Sequence, residues 1–102
     1  MPTELLNIKM NDGSRQFGDL PQSILWHQLR THIERLTGVE ITDFITDNIT
    51  EAWIDFSYCG QQFSVNDQFG RYWFFVKDPR CSDSILETVL QHCELVLINR
   101  GP

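Results

Sequence analysis

Apolar residues in this chain change their spacing as the sequence proceeds. Leu25, Leu29, Ile33 and Leu36 fall within about a quarter-turn of one another at ~100° per residue, the narrow stripe of an amphipathic helix. Pro21 suits a first helical turn, where its missing N–H costs nothing, and Gly38 suits the left-handed residue that ends a helix. Residues 21–37 are therefore expected to be helical. Beyond them the period becomes two. Ala52, Ile54, Phe56 and Tyr58 alternate with Glu51, Trp53, Asp55 and Ser57; Phe63 and Val65 alternate with Gln62, Ser64 and Asn66; Tyr72, Phe74 and Val76 alternate with Arg71, Trp73, Phe75 and Lys77. Turn-forming residues at 59–61 and 66–70 join these three strands into an antiparallel meander. The helical period returns from Asp83 to about Leu97, where Ile85, Val89, Cys93 and Val96 share a face that Leu86, Leu90 and Leu97 widen. Ser82 or Asp83 can cap its start, with Ser84 and Glu87 as a capping-box alternative, and Glu87, Gln91 and Glu94 are left to water.

Two stretches are harder to read. Residues 5–10 fit a short strand turning at Asn11-Asp12-Gly13, since Asp-Gly supplies the positive φ of a tight hairpin, but residues 14–17 are weakly patterned as a return. In residues 41–56, ITDFITDNITEAWIDF, an acid recurs every fourth position: Asp43, Asp47, Glu51 and Asp55. As a helix, the segment gathers Ile41, Phe44, Ile45, Ile49 and Ala52 on one side. Its β-branched content favours a strand over 39–46 turning at Asp47-Asn48. That strand would set Asp43 on a face with Ile41 and Ile45, a defect that a bulge or irregular start near Asp43 would relieve. The expected fold is α+β: an antiparallel sheet of three to four strands, with both helices packed on the Ile54/Phe56/Phe74/Val76 face. Glu51, Trp53, Asp55, Trp73 and Phe75 would lie on the opposite face.

At 102 residues, 41% apolar and 22% charged, the chain is expected to form a single folded domain over 1–102. It has no apolar run of the ~18 residues needed to cross a bilayer, and the opening MPTELL carries an acid where a signal peptide needs bases. Cys59, Cys81 and Cys93 are an odd, sparse set that fits a reducing compartment, so a cytoplasmic address is expected. Net charge is −6 and unevenly distributed. Between Arg35 and Arg71 there is no Lys or Arg, while Glu40, Asp43, Asp47, Glu51, Asp55 and Asp67 all lie there. The other eight acids are matched by the eight Lys and Arg. This balance opposes binding to nucleic acid or to an anionic membrane.

Catalytic and metal chemistry find little support. The acids at every fourth position lack the alternate spacing and central Gly of a calcium loop, and the cysteines and His92 lack paired zinc-ligand spacing. A thiol nucleophile needs a neighbouring base, and neither Cys59 in its turn nor Cys81 before a helix, the two expected to be exposed, has one nearby in sequence. His27 is expected toward solvent, with His32 and His92 at the edges of their helical faces. Glu51 and Asp55 could act as paired carboxylates only in a pocket that separates their pKa values. The six glycines are dispersed as turn and cap residues, without a phosphate loop. No cofactor is implied.

The run Ala52-Trp53-Ile54-Asp55-Phe56-Ser57-Tyr58-Cys59-Gly60, followed by Tyr72-Trp73-Phe74-Phe75-Val76-Lys77-Asp78-Pro79 and a helix, resembles a group of small uncharacterised bacterial proteins over about half the chain. In class, a compact acidic domain without catalytic motifs also resembles the immunity proteins that neutralise toxic nucleases. That resemblance implies acids and aromatics occupying a cationic site on a toxin or nuclease-like partner; it transfers no site residues. The expectation is a noncatalytic domain docking a basic protein, with Asp43, Asp47, Glu51, Asp55, Trp53 and Trp73 as contacts. The alternatives are a small ligand-binding or thiol-dependent enzyme domain, or a homodimer joined through the aromatic sheet face.

Overall fold

The computed structural model describes residues 5–46, 52–68 and 70–97. In chain order the elements are β1 (Ile8–Lys9), β2 (Arg15–Pro21), α1 (Trp26–Glu34), β3 (Glu40–Thr46), β4 (Ala52–Tyr58), β5 (Gln61–Gln68), β6 (Arg71–Val76) and α2 (Asp83–Leu97). The strands form one six-stranded sheet in the order β1-β2-β6-β5-β4-β3, with every neighbouring pair antiparallel. The meander runs in the order its alternation predicts, but β5 continues to Gln68, so Asn66, Asp67 and Gln68, expected in the turn, pair with β6 instead. The sheet nevertheless has six strands rather than three or four, because the N-terminal hairpin adds β1 and β2 beside β6.

The patterning of β2 is broken by a register shift between Gln16 and Gly18, where Phe17 is the extra residue of a bulge. Phe17 is fully buried, edge-on to Phe63 with ring centroids 5.8 Å apart. Gly18 is the second device: a β-carbon there would lie 2.5 Å from Leu90 Cδ1, so the bare backbone lets α2 approach the sheet. Arg15 is also buried; its Nε and Nη2 donate to Leu6 O at 3.0 and 2.7 Å, and its Nη1 lies 3.4 Å from Asp83. An arginine, a bulged phenylalanine and a glycine at successive core-side positions leave no alternation to read.

Pro21 does not open a helix. It is the last residue of β2, paired with Arg71, and β1 extends only opposite Arg15 and Gln16. No second strand asks for its missing N–H at that point. The helix starts instead at Trp26, where Gln28 Oε1 accepts the Leu25 N–H at 3.0 Å. Gly38, at φ +96°, occupies the left-handed conformation just beyond α1, and Gly13, at φ +91°, turns the hairpin. The start of α2 at Asp83 and its buried Leu86, Val89, Leu90, Cys93 and Leu97 match the periodicity.

The segment around Asp43 is a strand with a register shift between Ile41 and Asp43. The shift separates Asp43 from Ile41 but leaves Ile45 on the open face with Asp43, where it is 54% exposed. Ile41 pairs with Phe56 on the core side, while Asp43 pairs with Asp55 on the other. The expected turn at Asp47-Asn48 lies outside the described residues. Leu29 and Ile33 of α1 and Leu86, Val89 and Leu90 of α2 join Ile54, Phe56, Phe63, Phe74 and Val76 in one buried cluster on a single face. Tyr72 Oη donates to Ile24 O at 2.8 Å, and Ser23 Oγ to Leu97 O at 2.7 Å, so the β2–α1 connection is tied both to the sheet and to the end of α2.

Candidate docking face

With both helices on one side, the other side of the sheet carries every second residue of five strands. Strand register arranges these in rows. One row runs Ile45, Trp53, Asn66, Trp73, Asp19 from β3 to β2; the next runs Asp43, Asp55, Ser64, Phe75, Gln16 and reaches Ile8 on β1. Trp53 and Phe75 stack diagonally between the rows, with centroids 6.1 Å apart and planes 30° from parallel. Both Trp53 and Trp73 are half-buried, and Ile45 beside Trp53 is 54% exposed. Asn66, between the two tryptophans, is buried and donates from Nδ2 to Ala52 O at 3.0 Å.

The carboxylates are held by short local bonds. Asp55 Oδ1 accepts from Ser64 Oγ at 2.8 Å across β4 and β5, and Asp43 Oδ1 accepts from the Phe44 N–H at 2.9 Å. Neither bond involves a cation. Glu40, opposite Ser57, adds a third acid to this face, whereas Asp67 pairs with Tyr72 on the helix side and accepts from Gln22 Nε2 at 3.3 Å. Asp19 is engaged by Arg71 Nε at 2.6 Å. Asp47 and Glu51, also expected as contacts, lie outside the described residues.

A groove of about 780 Å³ crosses this face. Trp53, Asp55, Ser64 and Phe75 form its floor, Thr42 of β3 stands on one side, and Met10, Asp12 and Ser14 of the β1–β2 hairpin stand on the other. Strands at opposite ends of the sheet thus line one cavity, so the face that the described residues leave open is concave. Trp73 and Asp43 are on the same face but outside the groove lining. Lys77 lines the groove and is its cation. In sequence the hairpin wall is signalled by the short strand expected over residues 5–10 and its Asn11-Asp12-Gly13 turn, while its return strand is weakly patterned. Asp12 accepts the Ser14 N–H at 2.9 Å and its hydroxyl at 2.6 Å, and these bonds hold the Asp12 carboxyl below the usual carboxylate range.

Of the three thiols, Cys81 is placed differently from expectation. Cys59 is exposed, but Cys81 is buried, and burial pushes its thiol up, opposite to what a thiolate nucleophile requires. Cys93 is enclosed in the core and shifted in the same direction by burial. Among the described residues no group of three or more His, Cys, Asp or Glu is placed to hold a metal ion, and no helix is long and apolar enough to cross a membrane. The candidate site is one concave, aromatic and acid-bearing face of an α+β sheet. Compared with protein-family models, curated proteins and solved structures, the chain matches none.

Proposed function

We propose that this protein is a noncatalytic binding domain that docks a basic protein partner on its uncovered sheet face, in the manner of an immunity or inhibitor protein. The observation that carries this reading is the juxtaposition of the Trp53–Phe75 stack with the carboxylates of Asp43 and Asp55 on a concave surface. Half-buried aromatics on a rigid sheet supply anchoring area at little entropic cost, and neighbouring carboxylates with no cationic partner among the described residues attract positive charge during encounter. The cation-free run between Arg35 and Arg71 adds Glu40 to the same field. A symmetric homodimer through this face is disfavoured by the same charges, since acids would approach their own copies. A small ligand is the second reading, favoured by a groove volume within the range of ~300–1,000 Å³ usual for such sites.

The test is capture from a native lysate with the parent protein and with a folded Asp43→Lys/Asp55→Lys variant, followed by kinetics on the purified partner. The expected outcome is a basic protein whose association rate falls with salt and drops at least tenfold in the variant. Equal binding by both proteins at all salt concentrations would remove the acids from the interface.

A further inference from the structure

The face just described leaves unused a pair of histidines on the far side of the molecule. Where α1 crosses α2, the imidazoles of His32 and His92 stack with centroids 4.0 Å apart and planes 10° from parallel. Each Nε2 also meets the other residue's backbone carbonyl, at 2.7 Å from His32 to His92 O and 2.6 Å in return. A carbonyl oxygen only accepts, so both rings must carry hydrogen on Nε2, leaving each Nδ1 as the atom for the next proton. His32 O belongs to the last turn of α1, where carbonyls lack helical partners; it accepts the Arg35 N–H and the His92 ring together.

We propose that His32 and His92 form an acid-sensitive clasp that holds α1 onto α2 while both rings are neutral and loosens the helix pair when they are protonated. Two neutral rings lie face to face without electrostatic cost, whereas two imidazolium ions at the same separation repel. The surrounding groups add to the effect. Arg35, three residues beyond His32 on α1, presents a further positive charge, and His27 lines the same groove as His32 and Arg35. The β2–α1 connection and α2 contribute apolar Ile24 and Val96 there, and on α2 the charge of Glu94 acts on neighbouring Cys93.

Burial holds the His32 imidazole below its ordinary range, outweighing the favourable bond to His92 O, and the charges of His92 and Arg35 act in the same direction as burial. A histidine that is harder to protonate when docked than when free binds fewer protons in the folded state. Its contribution to docking is complete above the free value of about 6.5 and declines as pH falls below it. Loosening would reach the sheet through α1, because the His27 ring packs edge-on to Phe44 of β3 at 5.5 Å. This inference is independent of the docking reading.

An imidazole titration of the wild-type protein by long-range proton–nitrogen correlation tests the clasp, with exposed His27 observed alongside. The expected result is the Nε2–H tautomer for both rings at neutral pH and a His32 midpoint below the free value. Replacing His92 by Gln, which keeps an N–H donor, should raise that midpoint. Amide exchange in α1, corrected for intrinsic rate, should accelerate severalfold relative to β4–β6 between pH 7 and 5 in the wild type. The double variant His32→Gln/His92→Gln should lose that acceleration. Titration of His32 at the free value, or α1 exchange that follows only the intrinsic pH dependence, would overturn the proposal. If the double variant does not fold, the wild-type titration decides alone.

Discussion

Asp43 stands directly across from Asp55 on the open face of β3 and β4, two carboxylates in one cross-strand pair. Like charges so placed oppose sheet formation, and neither is neutralised by its own hydrogen bond. Asp43→Asn keeps an oxygen for the Phe44 N–H while removing the repulsion. It is expected to stabilise the fold by about 0.2–1 kcal/mol in urea unfolding and, on the proposed function, to slow association with a basic partner. A gain in stability accompanied by a loss in binding rate is the signature of a charge retained for recognition. A loss in both would assign Asp43 a structural role.

Trp53 is expected to be an energetic anchor of the same face. Trp53→Ala removes one ring of the stack with Phe75 and the neighbour of exposed Ile45. It should weaken partner binding by about 2 kcal/mol or more, principally through faster dissociation. Titration calorimetry against surface kinetics separates this from the rate effect of the acids.

Gly18 and Leu90 should behave as a coupled pair. Gly18→Ala drives a methyl against Leu90 Cδ1 and within 3.3 Å of Phe74 Cβ, in a core with little room to yield. A destabilisation of about 1–3 kcal/mol is expected. The further change Leu90→Ala should cost less in that background than in the parent, giving a non-additive double-mutant cycle. Additive costs would mean that α2 moves freely over the bulge.

Arg15 and Asp83 are expected to differ sharply despite their contact. Asp83 is 71% exposed and 3.4 Å from the guanidinium, so Asp83→Asn should change stability by less than about 1 kcal/mol. Arg15→Met removes both donors to Leu6 O at a buried position, and should cost about 1–3 kcal/mol. Chemical denaturation of the two variants side by side checks the ordering.

Thiol labelling should divide the cysteines. Cys59 is exposed in the β4–β5 turn, while Cys81 and Cys93 are enclosed and their thiols pushed up by burial. At pH 8 one thiol per native chain should react promptly with a chromogenic disulfide, and all three in denaturant. Prompt reaction of Cys81 in the native state would reopen a thiol-dependent activity.

What could be read in advance follows the range of the forces involved. Strands β4, β5 and β6 and the whole of α2 were legible because alternation and the 3.6 period are properties of neighbouring residues. The outer placement of Trp53 and Asp55 followed from the same alternation. Strand β2 was hidden by the Phe17 bulge and by Gly18, whose role depends on a leucine seventy-two positions away. Pro21 suited a helix start as well as a strand end, and only its pairing with Arg71 distinguishes them.

The sequence by itself determined an α+β fold, the meander, two amphipathic helices and an acid-rich segment without cations. Tertiary structure alone decided that Ile45, Trp53, Asn66 and Trp73 form one row, that the N-terminal hairpin walls the groove, and that His32 meets His92 across a separation of sixty residues. Backbone sterics and side-chain period act over a few residues and are written locally. Register and helix docking are set by which distant surfaces bury together, and no local pattern encodes them.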